Sequence, residues 1–78
     1  MTCYTIELYD KDNDMYESVY TIGDEDKALE VAEVLTTLCN KDMLINRYNG
    51  RQEPFDWVEV YKNSIVNDKL VQENIYAK

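Results

Sequence analysis

Asp10, Asp12 and Asp14 stand at alternate positions, the spacing with which a calcium loop opens. The complete loop needs Gly at its sixth position and Glu at its twelfth, where this chain has Met15 and Thr21. It also needs flanking helices, and the flanking segments here alternate like strands. A solvated hairpin turn without metal is therefore expected. Zinc is a poorer prospect still: the chain has no histidine, and Cys3 and Cys39 lie far apart without CxxC spacing. A cysteine nucleophile would have no histidine base. Sixteen acids in 78 residues make chance carboxylate pairs inevitable, and no glycine-rich loop accompanies them. These residues assemble no catalytic constellation, so the expectation is a protein that is not an enzyme and carries no cofactor.

Two other groups of residues have the chemistry of recognition. Asp26, Glu30 and Glu33, with Glu25 at the edge, recur at helical spacing, which sets neighbours about 5–6 Å apart along one exposed row. Such a row can imitate the phosphate spacing of a nucleic acid and occupy a basic groove. Against this, solvent-facing helix rows are commonly acidic for solubility alone. The second group is aromatic. Seven tyrosines with Trp57 and Phe55 are many for this length, and tyrosine is enriched at interface hot spots. In a small sheet protein some of them must also cover strand faces.

The elements that position these groups are organised around residues 23–41. Ala28, Val31, Ala32, Leu35, Leu38 and Cys39 fall on one face of a 3.6-residue helix, with Asp26, Glu30, Glu33 and Thr37 opposite. Asp24 is the expected N-cap and Glu25 and Asp26 suit the positive end of the dipole, with the helix ending between Asn40 and Asp42. Cys3 to Tyr9 and Tyr16 to Ile22 alternate as strands around an Asp12-Asn13-Asp14 turn. A three-residue loop sets Leu8, Ile6 and Tyr4 opposite Ser18, Tyr20 and Ile22, whereas a two- or four-residue loop puts Val19 on the Ile6/Leu8 face. The odd loop gathers more apolar groups on one side.

Residues 43–54 are less regular, with a tight turn at Asn49-Gly50, bracketed by Arg47 and Arg51 with Tyr48 between them. Phe55 to Tyr61 reads as a third strand, Val58 and Val60 facing one way, Trp57, Glu59 and Tyr61 the other. Ser64 to Tyr76 reads two ways. As a helix its apolar residues scatter round the circumference; as a strand it turns at Asn67-Asp68 and alternates at Val71, Glu73 and Ile75. An internal echo favours the strand: Ile6-Glu7-Leu8-Tyr9 parallels Val58-Glu59-Val60-Tyr61, and Glu17-Ser18-Val19-Tyr20 parallels Glu73-Asn74-Ile75-Tyr76.

The expected fold is thus α+β, a single small acidic domain over residues 1–78 with a ββαββ order, its antiparallel sheet covered on one face by the amphipathic helix. Val31 and Leu35 should pack against Ile6, Leu8 and Val58 or Val60. The other face stays open unless aromatics or a partner shield it, and Tyr9, Trp57 and Tyr61 are its candidates.

The formal charge is −8, and all of it lies in the first half: residues 1–39 hold ten acids and two bases, residues 40–78 six of each. Such a balance repels nucleic acid and anionic membranes and favours a protein partner with a basic surface. No apolar run approaches the length of a membrane span, and with no signal peptide ahead of the two thiols a cytoplasmic location is expected. The function these features point to is a non-enzymatic protein-binding module, acting through Asp26, Glu30, Glu33 and Glu25, through Trp57, Tyr61 and Tyr9, or through both. The alternatives are an inhibitor that mimics nucleic-acid charge on a nucleic-acid-binding protein, a homodimer through the open sheet face, and a small enzyme or ligand carrier. No motif assigns a family. By size and charge alone the chain is similar to the small acidic phage-encoded inhibitors, anti-CRISPR proteins among them.

Overall fold

The computed structural model describes residues 2–11, 15–47 and 52–78. Seven elements follow one another: β1 (Thr2–Asp10), β2 (Met15–Ile22), α1 (Glu25–Asn40), β3 (Ile45–Asn46), β4 (Glu53–Pro54), β5 (Trp57–Val66) and β6 (Lys69–Ala77). Four of the strands form one antiparallel sheet in the order β2-β1-β5-β6, and α1 lies on one of its faces, mostly over β5 and β1. The class is α+β with the expected helix-on-sheet arrangement. The turns proposed at Asp12-Asn13-Asp14 and Asn49-Gly50, with Tyr48 and Arg51, lie outside the described residues.

Alternation along β1 and β5 builds the core. Tyr4, Ile6 and Leu8 point under the helix, beside Val58 and Val60. Ile6, Val58 and Val60 have no exposed surface, so each contributes about 1.5–3 kcal/mol of burial. From the helix, the deepest residues are Ala28, Ala32 and Cys39, while Val31 and Leu35 are half-buried at the margins. Val31 and Leu35 pack against the core of Ile6, Leu8, Val58 and Val60, as the sequence pattern expects. The two alanines go deeper, and with only a methyl group each they let the helix backbone come close to the sheet. Buried Phe55 closes the core from the connection before β5, so it is not part of the strand that the sequence suggests.

Both ends of α1 are capped. Asp24 has extended backbone and its carboxylate accepts from Lys27 N at 3.0 Å. At the other end Met43 N donates to Leu38 O and Asp42 N to Cys39 O, both at 3.0 Å, with Asp42 at φ 54°. This is a Schellman closure with aspartate in the left-handed position that glycine usually fills.

The β1–β2 register resolves the odd-or-even question by using both. Tyr4 pairs with Ile22 and Ile6 with Tyr20, as a three-residue loop requires. After a bulge, however, Glu7 pairs with Ser18, Leu8 with Glu17 and Asp10 with Met15. Leu8 therefore opposes Glu17, not Ser18. The extra residue is Val19, which is half-buried and packs on the core. One bulge thus brings Ile22 and Val19 both to the apolar side without exposing either.

The C-terminal segment is a strand, and β5 runs five residues beyond the expected end at Tyr61. Asn67 and Asp68 have φ of 51° and 61°, as a two-residue primed hairpin turn demands. The sheet's last β1–β5 pair is Thr2 with Ser64, so Ile65, Val66 and Leu70 belong to a two-stranded ribbon and are more than half exposed. β6 also bulges, at Ile75, between the pairs Val60–Tyr76 and Tyr61–Asn74. Ile75 packs on the core as Val19 does. The two residues matched in the sequence echo are therefore the two bulges, one on each edge strand. Residues 43–54, expected to be irregular, include the short ladder of β3 and β4, fastened to the sheet where Asn46 Nδ2 donates to buried Asp10 at 2.7 Å. No helix of the described residues is long and apolar enough to cross a membrane.

Candidate functional site

The helix leaves one face of the sheet uncovered, and the strand alternation decides what stands on it. β1 contributes Thr5, Glu7 and Tyr9; β5 contributes Trp57, Glu59, Tyr61 and Asn63; Tyr16 and Ser18 come from β2, Gln72 and Asn74 from β6. Tyr9 pairs with Trp57, and their rings stack with centroids 4.5 Å apart and planes within 15°. Glu7 pairs directly with Glu59. Like charges facing each other across two strands destabilise a sheet, and among the described residues no cation lies within ion-pair distance of either.

The two carboxylates are held differently. Glu59 is enclosed by donors: Trp57 Nε1–H at 3.0 Å, the Tyr61 hydroxyl at 2.9 Å and Asn74 Nδ2 at 2.7 Å. Glu7 has the Ser18 hydroxyl at the 3.5 Å limit of a hydrogen bond. Burial raises the pKa of Glu7 above the ordinary carboxylate value, the facing Glu59 adds to the rise, and Ser18 offsets part of it. The Tyr61 hydroxyl is also raised, first by burial and then by its bond to Glu59 and that group's charge. Ser18 and Asn74 are echo positions: each precedes its strand's bulged residue and donates to one member of the acid pair.

A groove of about 270 Å³ runs across this face, bordered by Glu7, Tyr9, Tyr16, Tyr61 and Gln72. All four strands contribute to its walls. Gln72 is held there by donating to Asn63 Oδ1 at 2.9 Å, and Asn63 donates in turn to Thr5 Oγ1 at 2.8 Å.

The sequence-derived residues divide between two sides of a thin molecule, whose Cα extents are 42 × 24 × 15 Å. Tyr9, Trp57 and Tyr61 meet on the open sheet face. Asp26, Glu30 and Glu33 are exposed on the helix, which covers the opposite face, so the two groups do not form one site. Glu33 also pairs with Lys78 Nζ at 3.7 Å, and Glu25 lies beside Tyr4, where its carboxylate contributes, after burial, to the raised Tyr4 hydroxyl. Glu7, Glu59, Tyr16 and Gln72 are not among the residues that the sequence singles out. The echo that aligns Glu7 with Glu59 is the available signal, but only the β1–β5 register sets them face to face.

Both cysteines are free, Cys3 half-buried on the sheet and Cys39 buried under the helix, where burial and then the Asp56 charge raise the thiol pKa. No group of three or more acids and cysteines among the described residues is placed to hold a metal ion; Asp12 and Asp14 lie outside them. A scan against protein-family models and searches of curated proteins and of solved structures found no match.

Proposed function

We propose that this chain is a non-enzymatic, cytoplasmic protein-binding module that docks a partner with a basic surface on the uncovered face of its sheet. The observation that carries the reading is Glu7 facing Glu59, with no cation in ion-pair reach among the described residues, in the middle of an aromatic surface. A face kept only for solubility has no need of opposed carboxylates. A basic partner relieves their repulsion and gains stacked aromatic area, the combination found at interface hot spots. Self-association centred on the acid pair is disfavoured, because a two-fold axis passing there sets each pair against its own copy.

The second reading, a nucleic-acid-like helix row that blocks a basic site, rests on the exposed Asp26 and Glu30. It is the weaker one, since Glu33 already has a cation and Glu25 turns to Tyr4. Affinity capture from the native host with mass spectrometry separates the two. Glu7→Lys should abolish capture of the specific partner while the chain stays folded, because the introduced ammonium gains Glu59 as an ion-pair partner. Glu30→Lys with Glu33→Lys should leave capture in place. The opposite pattern would transfer the function to the helix row.

A further inference from the structure

We propose that the groove bordered by Glu7, Tyr9, Tyr16, Tyr61 and Gln72 receives one arginine side chain of the protein partner. The inference rests on the sheet-face reading above and specifies the chemistry of its centre. At about 270 Å³ the groove lies just under the range of sites for drug-sized ligands, which suits a single side chain.

Charge selects a cation. Glu59 already accepts from Trp57, Tyr61 and Asn74, so it has little hydrogen-bonding capacity left for a ligand. Glu7 is the reverse. Its carboxylate has one long contact, with Ser18, and it borders the groove. A donor arriving there satisfies Glu7 and offsets the Glu7–Glu59 repulsion together.

Shape selects guanidinium over ammonium. Three tyrosines border the groove, and a planar guanidinium stacks on aromatic rings while its fork of N–H donors engages a carboxylate. A lysine ammonium is a compact, strongly hydrated point charge and uses less of such a surface. Gln72, positioned through Asn63, adds an amide at the rim.

The test is an NMR titration of the isotope-labelled chain with N-acetyl-arginine amide at constant ionic strength. N-acetyl-lysine amide and the neutral isostere N-acetyl-citrulline amide serve as comparisons. The expected result is a saturable shift of the Trp57 indole N–H and the Glu7 and Ser18 amides with arginine, a weaker response with lysine and none with citrulline. Glu7→Gln should weaken arginine binding about tenfold, as loss of one charge-assisted contact does. Tyr16→Leu, on the exposed edge strand, should weaken it without lowering the thermal midpoint. Equal shifts with citrulline, equal affinity for lysine, unchanged affinity in Glu7→Gln, or shifts that track Asp26 and Glu30 instead would each overturn the proposal. If arginine amide fails to bind while Glu7→Lys still abolishes partner capture, the arginine pocket falls and the sheet-face reading stands. If Glu7→Lys also leaves capture intact, both fall.

Discussion

The two faces of the sheet are built by the same strands in the same register, yet their residues answer to different demands. On the helix side, Ile6 opposes Val60 and Leu8 opposes Val58, all apolar and buried. One residue further along each strand, on the other side, Glu7 opposes Glu59 and Tyr9 opposes Trp57. The first face is explained by the hydrophobic effect alone. The second is not: its central pair repels, and the surrounding donors are spent on holding one carboxylate in place. A stability-driven sequence would put a cation or a β-branched pair at that crossing. The difference teaches that burial accounts for the helix side, while the open side carries a repelling pair that folding alone does not call for; the proposed function would supply its missing cation.

Ile6→Ala should show the largest effect, a loss of about 2–5 kcal/mol in urea denaturation, because Ile6 sits fully buried at the centre of the covered face. A loss below about 1 kcal/mol, well short of that range, would mean that the covered face is not the main source of stability. Ala32→Leu sharpens the point. If small residues at Ala28 and Ala32 set the helix-to-sheet distance, the added bulk should destabilise by about 1–3 kcal/mol. Leu35→Ala, at the half-buried margin, should fall at or below the low end of the usual Leu→Ala range of about 2–5 kcal/mol.

These magnitudes also show what is legible in the sequence. The helix, its Asp24 cap and the alternation of Ile6, Leu8, Val58 and Val60 are local patterns, and the structure reproduces them. The bulges at Val19 and Ile75 are not local. Each reconciles strand register with burial of one more side chain, a compromise visible only once the partner strand is known. Ala28 and Ala32 read as part of a stripe, but depth within a stripe depends on what the helix approaches. The two-residue ladder of β3 and β4 is too short to show periodicity. At the candidate site, Tyr9, Trp57 and Tyr61 are legible as outward-facing aromatics. Glu7 and Glu59 do not stand out, because they lie 52 positions apart in the chain and only the sheet pairing brings them together.

A smaller effect tests the helix's outer row. Glu30→Lys with Glu33→Lys gives up the exposed Glu33–Lys78 pair, the kind of contact that contributes about 0–1 kcal/mol. Solvent-facing changes otherwise shift stability by no more than about 0.5 kcal/mol. The thermal midpoint should therefore barely move. A large drop would show that the row takes part in the fold and is not simply solvated.

The open face has its own pH signature. The folded-state pKa of Glu7 lies above its ordinary value of 4.5, chiefly through burial and then through Glu59. The native state therefore holds that proton more tightly than the unfolded chain. Between the two pKa values stability rises as pH falls, and below the ordinary value of 4.5 the contribution is complete and flat. Glu7→Gln should remove this component from the pH dependence measured against wild type. A variant whose stability follows the wild-type curve at every pH would show that Glu7 is not strained by its neighbour.

The most direct measurement is the stability of Glu7→Gln at neutral pH, by urea denaturation beside the wild type. The substitution keeps the shape of the side chain and its contact with Ser18 but removes the charge facing Glu59. If the open face is kept at the expense of stability, the variant should be more stable, by roughly 0.2–1 kcal/mol for one relieved cross-strand repulsion. A variant clearly less stable than wild type would contradict the account, because Glu7 would then belong to the structural framework and not to a surface held open for a cationic partner.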